Sequence, residues 1–187
     1  MLEPLPMNPR LPWRGAGLFA TASAAMLAMT GCSPALDWRD VRPAESGITV
    51  LMPCRPSAQT RAVRLADRSV KLALHACSAG GATWAVAFAD VGDPTAVGLA
   101  LQELQRSAAA NLGAAGSRSL AMVVPGATPH EHSTRVQISG LLPDGRMVNE
   151  VVAVFAYGTV VFQATVLGER LSEEAVHSFF GSLRVGQ

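Results

Sequence analysis

The stretch Thr134–Leu167, TRVQISGLLPDGRMVNEVVAVFAYGTVVFQATVL, decides the fold. It contains three runs rich in β-branched and apolar residues, and two turn signals separate them. In Pro143-Asp144-Gly145 the proline presets φ and the glycine supplies a positive φ, and Tyr157-Gly158 marks the second turn. Short turns join antiparallel neighbours, so a three-stranded meander is expected. These strands are predicted over residues 134–142, 147–156 and 160–167.

Two helices flank this meander in the sequence. Asp93-Pro94 places an N-cap residue before a proline at the first helical position, and Gly113 is suited to the left-handed conformation at the other end. Ser172 is a second N-cap, followed by two glutamates in the first turn, where the helix dipole favours negative charge. The apolar residues at helical spacing are Val97, Leu101, Leu104 and Ala108 in the first helix and Val176, Phe179, Phe180 and Leu183 in the second.

Further strand patterns precede each helix. The strand Thr83–Asp90 places Trp84 and Phe88 on one face and only alanines on the other. A face made of alanines lets a helix backbone approach closely. The other strands are predicted over residues 47–52, 61–65 (an edge strand), 69–77 and 120–124.

The predicted order is therefore four strands, a helix, four strands and a helix. We expect an α+β fold, in which a largely antiparallel sheet of about seven or eight strands packs with two helices that cover one face or both. The segment Val160–Arg184, VVFQATVLGERLSEEAVHSFFGSLR, resembles the ending of PsbP-like domains of small exported lipoproteins. The resemblance rests on a strand that leads into a final helix with the pattern Phe179, Phe180, Ser182 and Leu183. These are core residues, so the resemblance supports the fold and implies no catalytic site.

The N-terminal stretch has the features of an export signal. Residues 15–29, GAGLFATASAAMLAM, carry no charge, follow Arg10 and Arg14, and are too short for a membrane span of about 20 residues. They lead into Met29-Thr30-Gly31-Cys32, which resembles the lipobox of bacterial lipoproteins. That resemblance implies cleavage before Cys32, a diacylglycerol on its sulfur and an N-acyl chain, and Ser33 then favours the outer membrane, facing the periplasm.

The lipobox sets the predicted domain boundaries. Residues 1–31 form the lipoprotein signal peptide, residues 32–46 a lipidated tether and residues 47–187 a single α+β domain. Trp38, in this tether, would rest at the membrane interface or pack back on the domain.

Charge and composition limit the partners. The whole chain has a formal net charge of +1, and removal of Arg10, Arg14 and Glu3 with the signal peptide makes the rest formally neutral. A neutral domain without a basic cluster does not favour nucleic acid. The expected partners are the membrane, through the lipid anchor, and a protein of the cell envelope.

Cys54 and Cys77 remain as a pair once Cys32 carries lipid. In an exported, oxidising compartment an even pair of cysteines predicts a disulfide bond. The alternative is a redox-active or metal-binding pair, and the absence of a C-x-x-C motif disfavours it.

The sequence offers little catalytic chemistry. It has no G-x-S-x-G motif and no glycine-rich phosphate loop before a lysine. If the chain around His130-Glu131-His132 is extended, the two imidazoles lie on one side and could bind a divalent transition ion, but the spacing indicates no third ligand. The metal ligands, if any, are therefore unknown, with His130 and His132 as candidates.

These observations favour a lipid-anchored envelope protein that acts as a non-enzymatic binding or structural module, with no cofactor beyond the acyl chains on Cys32. They leave open whether the protein is an enzyme. One alternative is a metal-handling protein or enzyme that uses His130 and His132. Another is a carrier of a small apolar ligand on the concave side of the sheet.

Overall fold

The computed structural model describes residues 36–113 and 117–186. The predicted signal peptide, Cys32 and Ser33 lie outside the described residues. The strands are β1 (Arg39–Val41), β2 (Ile48–Met52), β3 (Ser57–Leu65), β4 (Arg68–Ala79), β5 (Ala82–Asp90), β6 (Ser117–Leu120), β7 (Thr134–Leu141), β8 (Met147–Tyr157), β9 (Val160–Gly168) and β10 (Arg184–Val185). The helices are α1 (Val97–Asn111), preceded by a 3₁₀ turn at Pro94–Ala96, and α2 (Glu173–Ser182).

The main sheet has seven strands in the order β3-β4-β5-β9-β8-β7-β6, and every pair of neighbours is antiparallel. The predicted α+β class and the meander β7-β8-β9 are confirmed. In the meander Phe155 lies opposite Phe162, and their rings stack with centroids 5.1 Å apart.

Both predicted helix starts are confirmed. The side chain of Asp93 accepts a hydrogen bond from the amide of Thr95, and that of Ser172 accepts one from the amide of Ala175. Gly113 has a φ of +54° just beyond the end of α1, as its sequence position predicted. The first turn after Asp93 is 3₁₀ rather than α-helical, so α1 itself begins at Val97.

The first predicted strand does not belong to the main sheet. β2 pairs with β1 on one side and with β10 on the other, and these three strands form a separate small sheet. Pro53 and Pro56 follow β2 directly and interrupt the ladder before β3 can continue it. β1 and β10 have three and two residues, too few for a periodic pattern in the sequence.

The predicted tether also needs correction, because its described part belongs to the domain. β1 pairs with β2 through Asp40 opposite Leu51, and Ser46 is buried, donating a hydrogen bond to the carbonyl of Pro43. Trp38 packs edge-on against Trp84, with ring centroids 5.9 Å apart. The domain therefore begins earlier than residue 47, and Trp38 packs back on it.

The strand predicted over 120–124 is also displaced. β6 occupies Ser117–Leu120, and residues 121–124 are outside any strand. The apolar side chains of Met122 and Val124 instead pack against the core beside α2. Their pattern indicated burial correctly and strand pairing incorrectly.

The main sheet buries two different faces. We call the face that packs against α2 and the small sheet the aromatic face, and its large buried side chains are Trp84, Phe88, Phe155, Phe162, Phe179 and Phe180. We call the face that packs against α1 the groove face, and its core is mainly aliphatic. Neither helix of the described residues is long and apolar enough to cross a membrane.

A disulfide bond joins Cys54 and Cys77, as predicted, with their Cα atoms 6.0 Å apart. Cys54 follows β2, and Cys77 lies in β4 opposite Trp84. The bond therefore links the small sheet to the main sheet at the aromatic face. Cys54 lies in the connection from β2 to β3, which also contains Pro53 and Pro56.

Candidate functional site

A groove opens on the groove face between α1 and the hairpin β3-β4, with a volume of about 370 Å³. It runs diagonally across the sheet, because its lining shifts along the strands between Glu150 on β8 and Leu65 on β3. Leu72 and Leu74 of β4 lie near its outer end, Ala85 and Ala87 of β5 form its floor, and Glu150 of β8 lies at its inner end. The groove crosses the sheet from an edge strand to the centre.

The small floor residues account for the open space. Alternation places Ala85 and Ala87 on the same side of the sheet as buried Ala89, facing the layer of α1. The expectation that a helix would approach these alanines closely is not met, because α1 packs mainly on β8 and β9. Methyl groups without a helix above them leave a channel.

The C-terminal end of α1 is held away from the alanines. The amide of Leu141 donates a hydrogen bond to the carbonyl of Leu112, 3.0 Å away. At Gly140 the backbones approach so closely that a Cβ atom would lie 2.2 Å from the same carbonyl oxygen. Only glycine permits this contact, which fixes the end of the helix over β7.

The tip of the hairpin closes the groove at one end of α1. The carboxylate of Glu103 accepts a hydrogen bond of 2.8 Å from the amide of Ala66, in the β3-β4 turn. Arg68, just after the turn, forms an ion pair with Asp93 before α1. Leu65 joins the buried core of α1 here. The hairpin is therefore attached to the helix at its tip and separates from it along the groove.

Glu150 is the most unusual side chain of the groove. It is only 7% exposed, and burial alone raises the pKa of its carboxyl group to about 7, with no hydrogen bond or charge among the described residues offsetting that burial. It shares the groove face with buried Val152 and Val154. A largely buried glutamate whose carboxyl group has no hydrogen-bond partner among the described residues, at the end of a groove, is a candidate for binding or proton exchange.

The other polar groups of the groove are uncharged or lie at its rim. Gln163 donates a hydrogen bond of 3.3 Å to the hydroxyl of Thr165, and both belong to β9. Arg61 and Arg64, on the exposed edge strand β3, are the cationic residues of the lining. The groove therefore combines an acidic inner end, an apolar middle and a basic outer rim.

The two candidate metal ligands lie elsewhere, in a turn rather than an extended segment. The amide of Ser133 donates to the carbonyl of His130, and the amide of His132 donates to Nδ1 of His130. The rings still meet, with centroids 5.3 Å apart, and both contact the helix at Gly98. Nε2 of His132 is in contact with the amide of Gln102.

This pair has no further ligand in the part of the chain that the structure describes, where no group of three histidine, cysteine or acidic residues is placed to hold a metal ion. Metal binding at His130 and His132 stays a prediction, which a zinc titration of the wild-type and His132→Ala proteins would test. His75 lies apart from both, on the aromatic face of β4. Its ring stacks on Phe88, and burial lowers its pKa.

Sequence reasoning missed Glu150, although the sequence contains a signal for it. Glu150 is the one charged residue in the run 147–156, MVNEVVAVFA, and it alternates in phase with Val152 and Val154. That phase places a carboxylate on a face that is otherwise apolar. The sequence pattern does not predict the groove beside Glu150, because that open space depends on where α1 lies.

No family model and no curated protein matches this chain. The candidate site is defined by the geometry of the chain itself. Its principal features are the groove, the buried carboxyl group at one end and the arginines at the other.

Proposed function

We propose that this protein is a lipid-anchored protein of the bacterial cell envelope whose domain is a non-enzymatic binding module. The domain holds a small, largely apolar ligand in the groove between α1 and β3-β4. The observation that carries the proposal is this groove, in which apolar walls surround a few polar groups. The anchor rests on the lipobox ending at Cys32.

The dimensions of the groove suit a small molecule. Ligand sites commonly have volumes of about 300–1,000 Å³, apolar walls and a small number of oriented polar groups. The groove measures about 370 Å³, and Leu72, Leu74 and Leu104 supply apolar surface to it. Leu72 and Leu74 are only partly buried, so a ligand would remove further apolar area from water.

Filling the groove tests this function. Ala87→Trp places an indole on the floor, where it should exclude a ligand without adding charge. Binding of the fluorescent probe anilinonaphthalene sulfonate and of octanol to the full chain should be lost in this variant. Ala62→Trp on β3 is the control, because Ala62 is exposed and outside the lining. Equal binding by wild type and Ala87→Trp would contradict the proposal.

The anchor has its own test. Cys32→Ser removes the thiol that receives the diacylglycerol, so the variant should remain an unlipidated precursor. Metabolic labelling with palmitate should mark wild type and leave Cys32→Ser unlabelled, and Cys54→Ser serves as the control cysteine variant. Labelling of Cys32→Ser at the wild-type level would show that the lipobox interpretation is wrong.

A further inference from the structure

We propose that the groove selects small amphiphilic monoamines, with the cationic nitrogen at Glu150 and the apolar chain directed toward β3. This inference rests on the proposed function and names the ligand class of the same site. It follows from the order of charges along the groove, which is set by the order of the strands.

The two charged ends are well separated. Glu150 lies on β8 and Arg61 on β3, four strands away in the order β3-β4-β5-β9-β8. Neighbouring strands are about 4.8 Å apart, which gives about 19 Å across the sheet. The ladder also places Arg61 level with Ala156 of β8, six residues from Glu150, which adds about 20 Å along the strands. Both side chains line the same groove and reduce that distance. An elongated ligand can therefore place different chemical groups at the two ends.

The inner end favours a cation. Glu150 is nine-tenths buried, and no described side chain offsets its charge when it ionises. The nearby groups of α1 and β9 that line the groove are neutral: Ser107, Asn111, Gln163 and Thr165. A protonated amine would supply the missing countercharge and hydrogen-bond donors, and such charge-assisted bonds are stronger than neutral ones. An anion at this position would be repelled.

The middle and outer parts of the groove determine which chemical groups suit the rest of the ligand. Between the charged ends the lining contains Leu74, Ala85, Ala87 and Leu104, which suit a hydrocarbon chain. At the outer end Arg61 is the charged group on the groove side of β3 in the described structure, whereas Arg64 points to the other side of the strand and pairs with Asp67. The second ammonium of an eight-carbon diamine held at Glu150 would lie among the apolar side chains of the middle, where its desolvation is unfavourable. A monoamine should therefore bind better than a diamine of equal length.

Calorimetric titration of the full chain with octylamine tests this assignment. Wild type should bind octylamine more tightly than octanol, and Glu150→Gln should weaken octylamine binding by about tenfold or more while leaving octanol binding unchanged. Glu131→Gln is the control, because Glu131 is an exposed glutamate outside the groove. It should bind like wild type.

The pH dependence gives a second readout that folding defects would not imitate. Octylamine stays protonated throughout, while Glu150 ionises as the pH rises through about 7. Affinity in wild type should therefore increase across this range and stay flat in Glu150→Gln. The diamine of the same length, octamethylenediamine, should bind more weakly than octylamine.

The outcomes separate the ligand class from the function. If octanol binds as tightly as octylamine, or Glu150→Gln binds octylamine like wild type, the monoamine assignment is overturned and the groove remains a site for apolar ligands. If wild type binds none of the probes, or if Ala87→Trp binds them as tightly as wild type does, the proposed function itself is overturned. A diamine that binds as tightly as octylamine overturns the selection of monoamines over diamines.

Discussion

The two faces of the main sheet are built from the same strands with the same alternation of side chains. One face is filled by rings, and the other is partly open. On the aromatic face Phe155, Phe162 and Phe179 are completely buried, and rings fill the space under α2 and the small sheet. On the groove face the central positions of β5 are alanines, and α1 lies to one side of them. Side-chain volume and helix position together decide whether a sheet face becomes closed core or an open groove.

The largest expected effect concerns the energetic difference between the faces. Phe162→Ala removes a ring with no exposed surface that stacks on Phe155, so it should lower the free energy of unfolding by about 3–5 kcal/mol. Leu74→Ala, at the wall of the groove, should cost about 1 kcal/mol, because Leu74 is already partly exposed. Chemical denaturation of both variants measures this difference. Equal losses would mean that the groove is as tightly packed as the aromatic core.

The disulfide gives a second test of the difference between the two faces, because it links elements of the aromatic face. Cys54→Ala and Cys77→Ala should each lower the free energy of unfolding by about 2–5 kcal/mol, since the Cys54–Cys77 bond ties the small sheet to β4. Denaturant unfolding of each variant measures the loss, and the two values should agree. Two free thiols in the denatured, unreduced wild-type protein would contradict the bond.

Glu150 should destabilise the groove face in a pH-dependent way. Its carboxyl group loses a proton near pH 4.5 in the unfolded chain but only near 7 in the fold. Over that window the folded state holds the extra proton, so stability falls as the pH rises. Glu150→Gln should be more stable than wild type above this window, by at most about 3 kcal/mol, and similar to it below the window. Thermal melts of both proteins below pH 4.5 and above pH 7 check this. A stability difference between wild type and Glu150→Gln that does not change with pH would contradict a raised pKa for Glu150.

The smallest expected effect concerns the attachment of the hairpin to the helix. Glu103→Ala removes the carboxylate that accepts from the amide of Ala66, at the tip of β3-β4. The loss should be about 1 kcal/mol, and it should fall on this end of the groove. Hydrogen exchange of the Ala66 amide should accelerate, while amides of β8 and β9 keep their protection. Unchanged exchange at Ala66 would show that apolar contacts alone hold the hairpin.

The fold could be predicted where local signals are long and consistent. The Pro143-Asp144-Gly145 turn, the N-caps at Asp93 and Ser172 and the alternation in β8 and β9 each determine structure within a few residues. β1 and β10 could not be predicted, because strands of three and two residues contain no period and depend on pairing with β2. Long-range pairing, rather than propensity, places them.

The candidate site was less accessible to sequence reasoning. The alanines of β5 were recognised, but they fit both a closely packed helix and an open floor. The choice depends on the contact of α1 with β7 at Gly140, which links residues distant in the chain. Glu150 was detectable from its phase in β8, whereas its isolation from any partner required the packed structure.

The most direct test of the proposed site, a groove that ends in an unpartnered acid, is the titration of Glu150 itself. Carbon-13 NMR of the side-chain carboxyl groups, with the Glu150 signal assigned by its absence in Glu150→Gln, follows that group through its ionisation. The account predicts a pKa of about 7 in the free protein, and a lower pKa when octylamine is bound. A pKa near 4.5 that octylamine does not change would contradict it.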